Sequence, residues 1–193
     1  MSDTKLLFLE DSYAKEAEAE VIESTLEGVV LDKTIFYYTS GGQPCDIGEI
    51  VCGDKKFKVR EVRKKEGKII HLLDEQNTLS FGDSVHLKID WERRYTLMRM
   101  HTAAHVLASI MFSKGKILIT GNQLGVEKTR FDFNMEQFDK EFIQKCIEQT
   151  NSVLLEGHEI KSYTLPRQEA LKIEGVSKLA NVLPPQLKML RIV

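Results

Sequence analysis

The sequence predicts an α+β protein in which a small antiparallel β-barrel, residues 1–90, precedes a mixed α/β domain, residues 91–193. Three observations predict it. From Lys5 to Asp90 the chain reads as short alternating segments rich in β-branched and aromatic residues, separated by turns, with no long helical pattern. At Trp91 the pattern changes to the run WERRYTLMRMHTAAHVLASIM, apolar on nearly every helical face after Arg99. Beyond it, helical and strand patterns alternate, so the boundary is placed near Asp90.

The barrel elements follow in order. LLFLE, EAEVIES and GVVLDKTIFYY are predicted strands. Gly41, Gly42 and Pro44 then interrupt the chain. DIGEIVCGDKKFKVREV is a hairpin about Gly53-Asp54, Glu66-Gly67 turns it into KIIHLL, and SVHLKID closes the series. Several strands at this spacing form a closed or curled sheet, because closure leaves no edge unpaired.

In the second half, the helix Trp91 to Met111 is followed by Ile117–Thr120, TGNQLG and TRFDF, a strand pair. Met135 to Leu155 places Phe138, Phe142, Ile143, Cys146, Ile147, Val153 and Leu154 at helical spacing, so it is an amphipathic helix ended by Gly157. HEIKSYTL alternates like a strand, Pro166 opens a short helical stretch, RQEALKI, and Pro184-Pro185 precede a final strand, KMLRIV.

Composition bounds the function. With 193 residues and 42% hydrophobic content the chain buries a sizeable core. Its formal charge of −2 excludes a bulk polycation, so any nucleic-acid contact depends on local basic patches. Cys45, Cys52 and Cys146, odd in number and scattered, fit reduced thiols better than a disulfide framework. No segment has the length of a membrane span or the form of a signal peptide, and the expectation is a cytoplasmic protein.

His101 and His105 are the leading candidates for chemistry. At i and i+4 two imidazoles leave the same helix face and can converge on one cation, although backbone or water could equally satisfy them. Gly41 and Gly42 free the backbone for close approach to a ligand, and Gln43 adds an amide beside them. Arg93, Arg94 and Arg99 precede the histidines, and Lys55, Lys56, Lys58, Arg60, Arg63, Lys64, Lys65 and Lys68 cluster on the barrel hairpin. These could hold phosphates, but with Asp54, Glu61 and Glu66 interleaved a solvated charged hairpin is the plainer reading. Thr120 and Gln123 could hold a water or a small polar group, or close a turn. His71, His86 and His158 read as ordinary strand histidines.

TIFYYTSGGQPCDIGEI, RRYTLMRMHTAAHVLA and TRFDF, in that order, resemble the editing domain of alanyl-tRNA synthetases. More closely, they resemble the freestanding alanyl-tRNA editing proteins of the AlaX type in their medium-length form. The resemblance implies a β-barrel followed by an α/β editing domain shared with threonyl-tRNA synthetase. It also implies zinc held by the H-x-x-x-H pair, His101 and His105 here, together with a C-x-x-x-H pair near the C-terminus. No C-x-x-x-H occurs in this sequence, and because the chain ends inside an apolar strand, the expectation is that it stops short of that pair.

The activity implied is trans-editing hydrolysis of mischarged alanine tRNA, with serine and glycine as the amino acids removed. An alanine pocket cannot reject the smaller glycine or the singly hydroxylated serine strongly, so a second hydrolytic site is needed. On this reading His101 and His105 hold Zn2+, and Thr120 and Gln123 contact the serine side chain or the water. Gly41, Gly42 and Gln43 shape recognition near the acceptor end, while Arg93 and Arg94 grip phosphate. A non-catalytic tRNA-binding module of the same fold is the alternative. An unrelated two-histidine metallohydrolase would leave the other two motifs unexplained.

Overall fold

The computed structural model describes residues 4–173 and 188–193. The chain divides into two compact units, Met1–Met98 and Arg99–Val193, and the division falls within one helix. The first unit carries β1 (Lys5–Leu6), a 3₁₀ turn at Leu7–Leu9, β2 (Glu16–Ser24), β3 (Gly28–Leu31), β4 (Lys33–Thr34), β5 (Gly48–Cys52), β6 (Lys55–Lys65), β7 (Lys68–Leu73) and β8 (Ser84–Ile89).

Six of these strands close into a barrel in the order β2-β3-β7-β6-β5-β8, every neighbouring pair antiparallel. Alternation explains which residues face inward. On β6, Phe57, Val59 and Val62 are buried while Lys56, Lys58 and Arg60 are exposed. Val21, Leu31, Ile35, Phe36, Ile50 and Leu87 complete a core from which water is excluded. Closure needs close approach at two glycines. A Cβ at Gly28 would lie 2.1 Å from the His71 carbonyl oxygen, and one at Gly48 2.1 Å from that of Lys88. Between β6 and β7, Glu66 (φ 52°) and Gly67 (φ 83°) are both left-handed, as a type I′ turn requires.

Two predicted strands are corrected here. LLFLE keeps only Leu6 in a strand before curling into the 3₁₀ turn, and that turn buries Phe8 edge-on against Tyr37 at 5.3 Å. GVVLDKTIFYY breaks at Asp32, whose carboxylate accepts the Glu20 N–H at 2.7 Å. Beyond β4 its residues Ile35 to Tyr38 form no strand, though Ile35 and Phe36 are fully buried.

His71 is a strand histidine, as predicted, but an unusual one: it is completely buried inside the barrel. Its Nδ1 lies 3.3 Å from the Val29 carbonyl, which can only accept, so Nδ1 carries the proton and Nε2 accepts from the Thr34 hydroxyl at 2.8 Å. Thr34 Oγ1 in turn accepts the Phe36 N–H at 3.0 Å. The neutral ring is thereby satisfied, and burial pushes its pKa down from 6.5 to about 4. The unfolded chain therefore binds this proton more readily than the folded one. The contribution is complete above pH 6.5 and is lost as pH falls toward 4. Urea unfolding should show on the order of 3 kcal/mol less stability from this group at pH 4 than at neutral pH. The paired Thr34→Val/His71→Met variant should lack that share of the slope, and equal slopes in the two proteins would refute the assignment.

Helix α1 (Trp91–Gly115) starts as predicted and runs four residues beyond Met111. Asp90 caps it, its carboxylate accepting the Arg93 N–H at 3.0 Å. It is less buried than its sequence predicts: Leu97, Ala104, Ala108, Ile110 and Met111 are buried, but Tyr95, Arg99 and His105 are exposed.

The second unit adds β9 (Ile119–Gln123), β10 (Arg130–Phe133), α2 (Lys140–Leu155), β11 (Tyr163–Pro166), α3 (Arg167–Ala170) and β12 (Met189–Ile192). β9 and β10 form the predicted strand pair, and β11 pairs antiparallel with β12. Its core joins Ile110 and Met111 of α1 to Cys146 of α2, with Ile117, Phe133 and Phe142 packed alongside.

Helix α2 begins five residues later than Met135, because the Asp139 carboxylate takes the Phe142 N–H at 2.9 Å and sets the cap there. The strand predicted over HEIKSYTL shrinks to β11. His158, predicted on a strand, instead lies before it and pairs with Glu156 at 2.6 Å. Pro184-Pro185 lie outside the described residues. No helix among the described residues is long and apolar enough to cross a membrane.

Candidate active site

Helical geometry brings His101 and His105 together: their rings stack 20° from parallel with centroids 5.0 Å apart. His101 is half-buried and His105 exposed. Burial, then the charge of His105, then Arg191 push the His101 pKa down to about 4. The ring is therefore neutral at physiological pH, the form that can ligate a metal or accept a proton. Two imidazoles fit two positions of a tetrahedral zinc site. No group of three or more histidine, cysteine, aspartate or glutamate side chains able to hold a metal occurs among the described residues, whereas catalytic zinc commonly takes three protein ligands.

The strand pair after α1 carries the other predicted chemical groups. On β9 the register to β10 steps from Gly121↔Asp132 to Ile119↔Phe133, leaving Thr120 as the extra residue of a β-bulge. Bulges re-aim side chains and recur beside active sites. Gln123, at the other end of β9, is exposed opposite Arg130. Neither Thr120 nor Gln123 hydrogen-bonds to His101 or His105.

Two neighbours were missed from sequence. Asn122 Oδ1, an acceptor, and the Thr129 hydroxyl, which can donate or accept, are buried without a hydrogen-bond partner, and each calls for a ligand or water. The only signal for them was their place in a polar, glycine-punctuated segment. Asp132 packs closely on Gly121, where a Cβ would come within 2.8 Å of its Oδ2.

The glycine loop belongs to the first unit. Ser40 and Gln43 exchange backbone hydrogen bonds of 3.1 and 2.9 Å across a tight turn, with Gly41 (φ 59°) and Gly42 (φ 80°) exposed at its tip. Gln43 departs from expectation: it is only 4% exposed, so the glycines alone are presented to solvent.

Arg94 requires a correction. Expected to grip phosphate, it is 2% exposed, and its guanidinium closes on the buried carboxylate of Asp46, with Nε 3.0 Å from both oxygens and Nη2 also bonded to Oδ2. Nη2 and Nη1 further donate to the carbonyls of Ile35 (2.6 Å) and Ser12 (3.2 Å). Asp46 Oδ2 also accepts the Tyr37 N–H at 2.6 Å. Such a group is committed to structure. Arg93 remains half-exposed, its Nη2 reaching the Cys45 carbonyl at 3.3 Å. The two arginines thus tie the loop after Gly42 to the first turn of α1. The key partner, Asp46, was given no role in the sequence reading; its signal was a lone carboxylate in the otherwise uncharged stretch Pro44–Gly48.

A barrel leading into a helix that carries a histidine pair, one ring half-buried and the other exposed, is the architecture of an editing module related to class II tRNA synthetases. The sequence profile of the family described as tRNA synthetases class II (A) matches residues 2–93, the barrel and the start of α1. The chain is 40% identical over 192 residues to the alanyl-tRNA editing protein AlaX-M of Saccharolobus solfataricus, covering 98% of this chain and 80% of the relative. It is likewise 40% identical over 197 residues to AlaX-M of Methanosarcina barkeri, covering 98% and 81%. The alanine–tRNA ligase of Ignicoccus hospitalis is 42% identical over 170 residues, which is 86% of this chain but 19% of the ligase. The chain belongs to the AlaX-M family of alanyl-tRNA editing proteins.

Proposed function

We propose that this protein edits alanine tRNA in trans, hydrolysing the ester that joins serine or glycine to its 3′ end. The single observation that carries the reading is the stacked pair His101 and His105 on α1, in a chain 40% identical over nearly its whole length to proteins named for alanyl-tRNA editing. The substrate logic is that of a second sieve: serine and glycine escape an alanine-sized pocket, and a separate hydrolytic site removes them.

His101 and His105 would hold zinc, which when bound supplies Lewis-acid chemistry that orients the aminoacyl amine or polarises water. Thr120, re-aimed by its bulge, and Gln123 contact the serine hydroxyl or the attacking water, with the unpartnered Asn122 Oδ1 as a further acceptor. Gly41 and Gly42 let backbone approach the acceptor end, and of Arg93 and Arg94 it is Arg93 that meets a phosphate.

A non-catalytic tRNA-binding module is favoured by one observation, the absence of a third metal-ligating group near the pair among the described residues. Incubation of the protein with seryl-, glycyl- and alanyl-tRNA(Ala), alongside measurement of bound zinc by elemental analysis, separates the two. Selective release of serine and glycine, with about one zinc per chain, is expected. Tight tRNA binding with no release establishes the binding module instead.

A further inference from the structure

Strand β6 reads KKFKVREVRKK, seven cations and one acid within eleven residues of a protein whose net charge is −2. Lysines on a strand commonly guard a free sheet edge, and each half of β6 is laddered on one side only, residues 55–59 to β5 and residues 59–65 to β7, but the other sides are partly closed by backbone bonds from the Asp74 N–H to the Lys58 carbonyl and from the Thr39 N–H to the Val62 carbonyl. Intramolecular neutralisation does not account for them either. Arg63 reaches Glu27 only at 4.0 Å, and Lys55 Nζ donates to Thr78. Among the described residues, Lys56, Lys58, Arg60, Lys64 and Lys65 form no ion pair. The nearby Glu75 carboxylate is engaged by the backbone N–H of Lys58.

Geometry orders these charges. Lys56, Lys58 and Arg60 are exposed at alternate positions, facing outward while Phe57 and Val59 face the core. Alternate strand residues are spaced about 6.6 Å apart, comparable to successive phosphates along a nucleic-acid strand. The register slips between Val59 and Glu61, so Arg60 is the bulged residue. Farther along, Arg63 Nε is buried without a hydrogen-bond partner. Arg63 and Lys65 border an open groove of about 350 Å³ beside Leu26, Ile70 and Leu72, and Lys64 Nζ stands 6.0 Å over the Tyr38 ring.

We propose that the outward face of β6 is a docking track for the tRNA sugar-phosphate backbone, with Lys56, Lys58 and Arg60 meeting successive phosphates and Arg63 and Lys65 extending the contact at the groove. The inference rests on the editing assignment but makes a separate claim, that this barrel face grips the RNA body while the chemistry occurs elsewhere. Contacts of this kind position RNA without reading its bases. Each releases about one counterion, so removing one lowers the slope of log K against log salt by about one.

The test compares the intact wild-type chain with Lys56→Gln/Lys58→Gln/Arg60→Gln and with Lys5→Gln/Lys33→Gln/Lys88→Gln, a control that removes equal charge elsewhere on the barrel unit. Seryl-tRNA(Ala) binding and deacylation are followed from 50 to 300 mM salt. The first variant should lose about three from the salt slope and raise KM on the order of tenfold, with kcat at saturating tRNA unchanged. The control should keep the wild-type slope. Circular dichroism melts establish that each barrel is folded, and Lys56→Arg/Lys58→Arg, which keeps the charge, should restore binding if glutamine disturbs packing. An unchanged slope and KM in the folded triple variant overturns the track. So does a β6-dependent interaction with phosphatidylserine vesicles but not with tRNA. A wild-type protein that neither binds nor deacylates the tRNA removes the editing assignment itself.

Discussion

Replacing His101 by alanine should lower deacylation of seryl-tRNA(Ala) on the order of a hundredfold or more while leaving the barrel's melting transition unchanged. The reasons are separable. His101 lies on α1 outside the barrel core, so its removal leaves the barrel's packing intact. Chemically it is prepared for ligation: half-buried and neutral at physiological pH, it offers a lone pair without first shedding a proton. Single-turnover rates at saturating enzyme read the chemical step, and tRNA affinity read separately should be nearly unchanged. A variant that deacylates at the wild-type rate would detach the imidazole pair from the reaction.

Asp46→Ala should destabilise the barrel by about 3–5 kcal/mol, because it leaves the Arg94 guanidinium charged and without its carboxylate in a site 2% exposed. The same substitution strips the Tyr37 N–H of its acceptor and loosens the loop that follows Gly41 and Gly42. Arg94→Met should cost a comparable amount for the mirror reason. The paired Asp46→Leu/Arg94→Met variant should lose less than the sum of the two single variants, since the pair leaves no unpaired buried charge, while the Tyr37 N–H and the Ile35 and Ser12 carbonyls still lack those partners. Chemical denaturation of the three variants measures the cycle. Additive losses in the double variant would mean that the two side chains act independently.

Much of this protein is legible in its sequence because the governing rules are local. Alternation places Phe57 and Val59 inside and Lys56, Lys58 and Arg60 outside. Glu66-Gly67 announces its turn, and the i, i+4 spacing alone sets His101 against His105. Errors cluster where a side-chain contact outside the hydrophobic period intervenes. Phe8 curls its strand to reach Tyr37, Asp32 breaks another by bonding to Glu20, and Asp139 delays α2 with a cap the hydrophobic period does not register. Strand histidines divide the same way. His71 is buried and satisfied by Thr34 and Val29, whereas His86, half-buried on β8, has its pKa raised chiefly by the hydrogen bond its ring donates to the Glu18 carboxylate.

Arg93 and Arg94 make the distinction sharpest. Adjacent in sequence and alike in chemistry, both suited a phosphate equally well on paper, because composition and spacing carry no information about what closes over a side chain. Sequence by itself determined the barrel, the helix that follows it, the facing imidazoles and the kinship to alanyl-tRNA editing proteins. Only the tertiary structure decided that Arg94 turns inward to Asp46, that Gln43 is covered, and that a bulge frees Thr120 from the strand register. Burial and register depend on contacts between residues distant in the chain, and no local pattern encodes those.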